Sequence, residues 1–287
     1  MKRVNTHYET LGAFVADAQR EPLNKMKTSR DMSDFYTRWT GTETFEGAID
    51  MAQHGWPEGR KRLMVAMAEA RGAPRMIADM VMDVAGAYPI AALAAAGDPC
   101  SMVDLQPVEE RVRPIVRLVI SRNGSSAYSA DEFMNYGAAV LSYVEGLENA
   151  GFRCEIASYS ATALNHGVRE YTTVILKRAE EHIEMDRMAF CLTHPAFLRR
   201  LGFAVSESTP GVWENLGSGY GEPVNPDPAQ DTDPDQIIIP GINIAKPGSA
   251  ALKSARAALK TLGPMIEEQL KNRGVAPPAL AFGGKEK

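Results

Sequence analysis

The sequence predicts an α/β domain: a mostly parallel sheet of four or more strands, flanked by helices and preceded by a helical N-terminal region. Three observations carry this. Residues Ile115 to Ile120 are apolar except for Arg117, the pattern of a strand buried on both faces of a parallel sheet. After a polar turn, Ser129 and Glu132 stand at capping-box spacing, which starts a helix near Ala130. Phe133, Tyr136, Gly137, Val140, Leu141, Val144 and Leu147 then form one apolar stripe, and Gly151 suits the left-handed C-terminal cap. Arg153 to Tyr159 follows as a second strand, completing a βαβ unit.

Residues 1–38 are polar and weakly periodic, an N-terminal arm in which Leu11, Phe14, Val15 and Ala18 share one face of a short helix. Thr44 is placed to cap a helix through Gln53, with Phe45, Ile49 and Ala52 on one side. Gly55-Trp56-Pro57-Glu58-Gly59 is a sharp connector. Leu63, Met64 and Met67 mark a second helix from Pro57 to Ala70, resuming after Ala73-Pro74 as far as Asp83. Gly86, Pro89, Gly97 and Pro99 punctuate an alanine-rich connector. Residues 39–110 thus read as a helical region packing on the sheet. Beyond the βαβ unit, Asn165-His166-Gly167 supplies a turn and Tyr171 to Lys177 a third strand. The link before this strand is too short for a packed crossover helix, so it is expected to be antiparallel and at an edge. Ile183 to Leu201 reads as helix with a break at His194-Pro195. Glu207 to Asp235 reads as a long exposed loop, and Ile237 to Ile242 as a buried parallel strand. A last helix runs from Ser249 to Gly274, kinked at Pro264, and residues 275–287 form a tail.

The chain has 287 residues, 45% of them hydrophobic, enough for a sizeable core in one large domain or two small ones. Its formal net charge of −5 argues against general binding of duplex DNA or membrane surfaces. No apolar run approaches the ~18 residues of a membrane span, and the expected location is the cytoplasm. Cys100, Cys154 and Cys191 are far apart, and none makes a zinc-spaced pair; they read as buried, reduced thiols.

The order β-α-β-β-α-β-α with an antiparallel third strand resembles a von Willebrand factor A-like domain over residues 111–274. That resemblance implies a hard cation held by Asp-x-Ser-x-Ser after the first strand. Here the stretch is Ser121-Arg122-Asn123-Gly124-Ser125-Ser126, and Asn243-Ile244-Ala245-Lys246 after the fourth strand also lacks an aspartate, so neither a metal nor another cofactor is expected. Trp39-Thr40-Gly41, Phe45, Ala48, Ala52 and Gly55-Trp56-Pro57-Glu58-Gly59, with Gly97-Asp98-Pro99-Cys100 and Gly137-Ala138-Ala139, resemble an uncharacterised family of proteins from tailed bacteriophages. This implies phage origin and an infected host cell.

The carboxyl edge of a parallel sheet, facing a helix N-terminus, favours anions. Arg122, Asn123, Ser125, Ser126, Asn243 and Lys246 are the residues expected to converge there on a phosphate or carboxylate. Lys25, Lys27, Arg30, Arg38 and Trp39 form a second candidate set, basic residues beside an aromatic, suited to single-stranded nucleic acid. Gly217 to Gly221 lacks the lysine and helix of a phosphate loop and reads as flexible. The five histidines are scattered, no Gly-x-Ser-x-Gly elbow exists, and no catalytic residue is assigned. Three functions follow, in order: a non-enzymatic module binding a protein partner or a second copy of itself; a single-stranded nucleic-acid-binding factor; and an enzyme or binder for a phosphorylated small ligand at the sheet's carboxyl edge.

Overall fold

A computed structural model describes residues 2–23, 29–30, 37–71, 81–83, 88–97, 99–104, 114–217, 219–224 and 235–275. The chain divides into two compact units, residues 1–72 with 114–287, and residues 73–113.

In the larger unit, strands β1 (Lys2–Tyr8), β2 (Ile115–Ser121), β3 (Arg153–Ala163), β4 (Val168–Lys177) and β6 (Gln236–Ile239) form a sheet in the order β1-β4-β3-β2-β6. The two-residue β5 (Glu222–Pro223) adds to the end of β3. β2 is parallel to both β3 and β6, and β4 runs antiparallel to β3, as the short connection requires. β4 is not an edge strand, however, because β1 pairs with it in parallel from Lys2↔Val168 to Tyr8↔Val174. Strand β1 was not expected in the N-terminal arm. Its sequence, Lys-Arg-Val-Asn-Thr-His-Tyr, carries only two apolar side chains, and an edge strand with little to bury leaves little hydrophobic signal.

The βαβ unit forms as its local signals dictate. Helix α4 (Ala130–Asn149) opens on a complete capping box: the Glu132 amide donates to Ser129 Oγ (3.3 Å) and the Ser129 amide to Glu132 Oε2 (2.8 Å). Gly151 closes it at φ +92°. Helix α1 (Leu11–Ala18) is capped by Thr10, α2 (Phe45–His54) by Thr44, and α3 spans Pro57–Arg71. Helix α5 (Met185–Thr193) stops at His194-Pro195, and the chain resumes as a π-helical turn, Phe197–Gly202, continuing into α6 (Phe203–Ser208). The last helix, α7 (Ala255–Asn272), is capped by Ser254 rather than Ser249 and runs on through Pro264.

One face of the sheet carries the core. Val116, Leu118 and Ile120 of β2, Ile156 of β3, and Ile237 and Ile239 of β6 pack with α3, α4, α5 and α7. Tyr8 and Val174 pack with α1, α2 and residues 197–205. The opposite face holds a smaller cluster of Val119, Ala157, Tyr159, Ala161 and Tyr171 that includes no helix residue. Burial of β2 on both faces therefore begins only at Leu118, while Ile115 and Arg117 are exposed. Of the cysteines, Cys154 and Cys191 are buried but Cys100 is exposed.

The smaller unit contains an antiparallel sheet in which Met102–Asp104 lies between Val81–Asp83 and Tyr88–Pro89, with a short helix at Ala91–Ala95. Of the helix expected to resume after Ala73-Pro74 as far as Asp83, residues 73–80 lie outside the described residues, and Val81–Asp83 is strand.

Helices α4 and α5 meet at Gly137. A methyl group there would collide with Thr193 Cγ2 and stand 3.0 Å from the Leu192 carbonyl oxygen. Gly137→Ala is therefore expected to destabilise the fold by about 1–3 kcal/mol through overpacking. That outweighs the ~1 kcal/mol by which alanine usually favours a helix interior. Urea denaturation measures it, and a gain in stability would contradict this packing.

Candidate functional site

At the carboxyl end of β2 the chain turns across the top of the sheet. Asn123 holds the turn. Its Nδ2 donates to the carbonyls of Ala161 (2.9 Å) and Val224 (2.5 Å), and its Oδ1 accepts from the Ala161 amide (3.2 Å). The exit of β2 is thereby tied to β3 and to the segment after β5. The following amides, of Gly124, Ser125 and Ser126, donate to no acceptor among the described residues.

This turn is one wall of a cavity of about 510 Å³, in the size range of small-molecule sites. Ser125 and Ser126 are exposed on it, and Trp39, Arg199, Phe203 and Tyr220 form other walls. Tyr220 stacks on Phe203 at 3.7 Å between ring centres, and Trp39 lies 5.8 Å from Phe203 on a tilted plane. The indole N–H of Trp39 is buried without a partner among the described residues. Arg199, 3% exposed, donates to the carbonyls of Trp39 (2.5 Å) and Ser125 (3.0 Å), and its guanidinium lies 5.1 Å from the Trp39 ring. The π-turn buries Arg199 and its neighbour Arg200 together. Arg200 donates to the carbonyls of Ser29, Arg30, Thr42 and Glu43, drawing two N-terminal segments onto this part of the fold.

Beneath lies a second, much smaller chamber of about 20 Å³, lined by Arg122, Tyr136, His194, Phe197 and, again, Arg199. Arg122 is 8% exposed, and its guanidinium lies 4.1 Å from the Phe197 ring and 5.7 Å from the Phe14 ring, two rings that pack edge to face on each other. Burial alone pulls Arg199 down to about 10. Arg122 is pulled down to about 10 as well, again chiefly by burial, so both stay protonated at neutral pH.

The expected anion set is thus divided. Ser125 and Ser126 face the larger cavity, Asn123 lines it with its amide already committed, and Arg122 faces the small chamber. Asn243 and Lys246 are exposed and line neither. Of the nucleic-acid set, Trp39 joins the larger cavity beside Ser125, so the two sets meet there. Arg30 points elsewhere: it donates to the carbonyls of Ala18 and Arg20 and lies 5.3 Å from the Phe45 ring. Lys25 and Lys27, and the Arg38 side chain, lie outside the described residues. Sequence reasoning missed Arg199 and Tyr220. The signal for the first was an Arg-Arg pair inside the apolar run Phe197 to Leu201. The signal for the second was Gly221, whose φ of +78° lets the glycine-rich loop pass tightly against the Ala163 carbonyl.

The chain belongs to the family described as Domain of unknown function (DUF7192), whose model matches residues 1–275. No curated protein and no solved structure matches it.

Two buried groups titrate in opposite senses. His194 packs against Trp56 at 4.5 Å and accepts at Nδ1 from the Ala196 amide (3.1 Å). Burial first, then the charge of Arg62, pushes it down from 6.5 to about 4. Glu170 of β4 lies with both oxygens 2.8–2.9 Å from the Ser206 hydroxyl, and burial pushes it up from 4.5 to about 7. Between about 4 and 6.5 the unfolded chain protonates histidine more than the folded chain does, so stability is lost as pH falls. Between 4.5 and about 7 the folded chain holds the Glu170 proton more firmly, so stability is lost as pH rises. Each effect is worth roughly 3 kcal/mol across its window, and they oppose one another where the windows overlap. Relative to the native chain, His194→Gln should gain stability on acidification from pH 6.5 to 4.5, and Glu170→Gln should lose it. Urea midpoints across that range measure both; parallel profiles for the two variants would contradict the assignment.

Proposed function

We propose that this member of the DUF7192 family is a binding module for a phosphorylated small ligand, held in the 510 Å³ cavity at the carboxyl edge of the sheet. One observation carries the reading. The cavity is walled by a buried guanidinium, Arg199, bonded only to backbone carbonyls, and no carboxylate stands among its described lining residues. Carbonyl dipoles satisfy the donors of that cation without cancelling its charge, and such a site in a low dielectric attracts an anion. The unused amides of Gly124 to Ser126 and the two serine hydroxyls supply neutral donors beside it. The described lining has no His, Cys, Lys, Asp or Glu, and its one other proton-transfer candidate, the Tyr220 hydroxyl, is engaged with Glu207, which favours binding over catalysis.

The order β4-β3-β2-β6 with β4 reversed supports an A-like core, from which β1 outside β4 departs. Self-assembly by strand addition is disfavoured at β6. There the Gln269 side chain accepts from the Ile238 amide (2.9 Å) and donates to its carbonyl (2.7 Å), closing the edge.

Titration of the full chain with inorganic phosphate and with a nucleoside monophosphate, followed by amide NMR, tests the proposal. Saturable shifts are expected at Gly124 to Ala127. Ser126→Glu places a carboxylate at the exposed rim and is expected to weaken binding at least about tenfold while leaving the fold intact. Absence of shifts at millimolar ligand, or unchanged affinity in Ser126→Glu, would overturn it.

A further inference from the structure

We infer that the ligand of the 510 Å³ cavity is a nucleotide, with its phosphate on the turn after β2 and its base against the wall formed by Trp39, Phe203 and Tyr220. The inference rests on the function proposed above and adds the chemical class of the ligand. The lining divides into two chemistries. The turn from Gly124 to Ser126 and the guanidinium of Arg199 supply donors and charge, whereas Trp39, Leu198, Phe203, Tyr220 and Pro223 supply apolar surface. The three aromatic residues stand in series: Trp39 lies 5.8 Å from Phe203, and Tyr220 stacks on Phe203 at 3.7 Å. Each is half-buried and lines the cavity, so ring surface remains open to it. Tyr220 is held in place by its hydroxyl, which donates to Glu207.

A bare anion would use only the polar half of this lining. A ligand that uses both halves carries a phosphate at one end and an aromatic or apolar group at the other. A sugar phosphate does not match. Its hydroxyls would need several partners, but beyond the serines the described side chains offer only the Thr162 hydroxyl, and the Asn123 amide is spent on Ala161 and Val224. Hydroxyls desolvated without partners are costly. An aromatic base does match, because it gains from contact with other rings. A base also differs from a plain aryl ring in having a polar edge. Gly219, next to Tyr220, has no described atom within 4 Å of the position a Cβ would take, so the main chain on this wall is uncovered there. One short stretch of bare main chain suits a single polar edge rather than a ring of hydroxyls.

Calorimetric titration of the full chain with inorganic phosphate, ribose phosphate, phenyl phosphate and adenosine monophosphate tests it. The adenylate is expected to bind at least about fivefold more tightly than ribose phosphate or phenyl phosphate, the least that one stacked base contributes. Tyr220→Leu keeps apolar bulk but removes the ring, and is expected to bring the ratio of adenylate to ribose phosphate affinity down towards one. Should that variant not fold, nuclear Overhauser effects between adenine protons and the ring protons of Trp39, Phe203 or Tyr220 in the native chain replace it. Equal affinity for the adenylate and either control, an undiminished ratio in Tyr220→Leu, or absence of those Overhauser effects would overturn this inference and leave the phosphate site standing. Failure of every one of these ligands to bind would overturn both readings.

Discussion

Much of this fold depends on burying guanidinium groups against backbone carbonyls instead of carboxylates. Arg199 and Arg200 are neighbours in sequence and both lie inside the protein. An ordinary helix turn here would compete with the need to serve two cations at once; the π-turn opens the backbone so that each finds its own acceptors. Arg200 takes carbonyls from residues 29–30 and 42–43, and Arg199 takes those of Trp39 and Ser125. The N-terminal segments and the turn after β2 are thus anchored on two adjacent side chains. Breaking either set would strand a buried charge, a far larger loss than one neutral hydrogen bond.

That arrangement explains why two cavities of different character lie together. Arg199 and Leu198 line both. Above them, exposed hydroxyls and unengaged amides line the wider cavity. Below, Phe197, Tyr136 and Ile242 shape the narrower one. Glu207 contributes from behind, accepting from Ser29 and from the Tyr220 hydroxyl, so the aromatic wall of the upper cavity is fastened to the same N-terminal segment that Arg200 holds.

What could be read from the sequence was what local chemistry determines. The capping box at Ser129, the stripe from Phe133 to Leu147 and the glycine cap at Gly151 each act within a few residues, and all are present in α4. The reversed third strand followed from the length of one loop. Strand β1 did not declare itself, because its pairing partner lies more than 160 residues away and its own residues are mostly polar. The site was half legible. Ser125, Ser126 and Arg122 could be placed at the carboxyl edge from topology, but whether Arg122 points into solvent or into the core depends on Phe14 and Phe197, which no local pattern links to it. Arg199 was hidden because an arginine in an apolar run normally reads as the solvent side of a helix.

The same burial redistributes the charge of the molecule. Arg122, Lys177, Arg199 and Arg200 are inside, with Glu170 and Glu207 the corresponding acids. From a formal total of −5, removing four cations and two anions leaves −7 on the remainder of the chain. Among the described residues the buried charge is therefore net positive, and at physiological salt, with screening over about 8 Å, it acts on its surroundings only at short range.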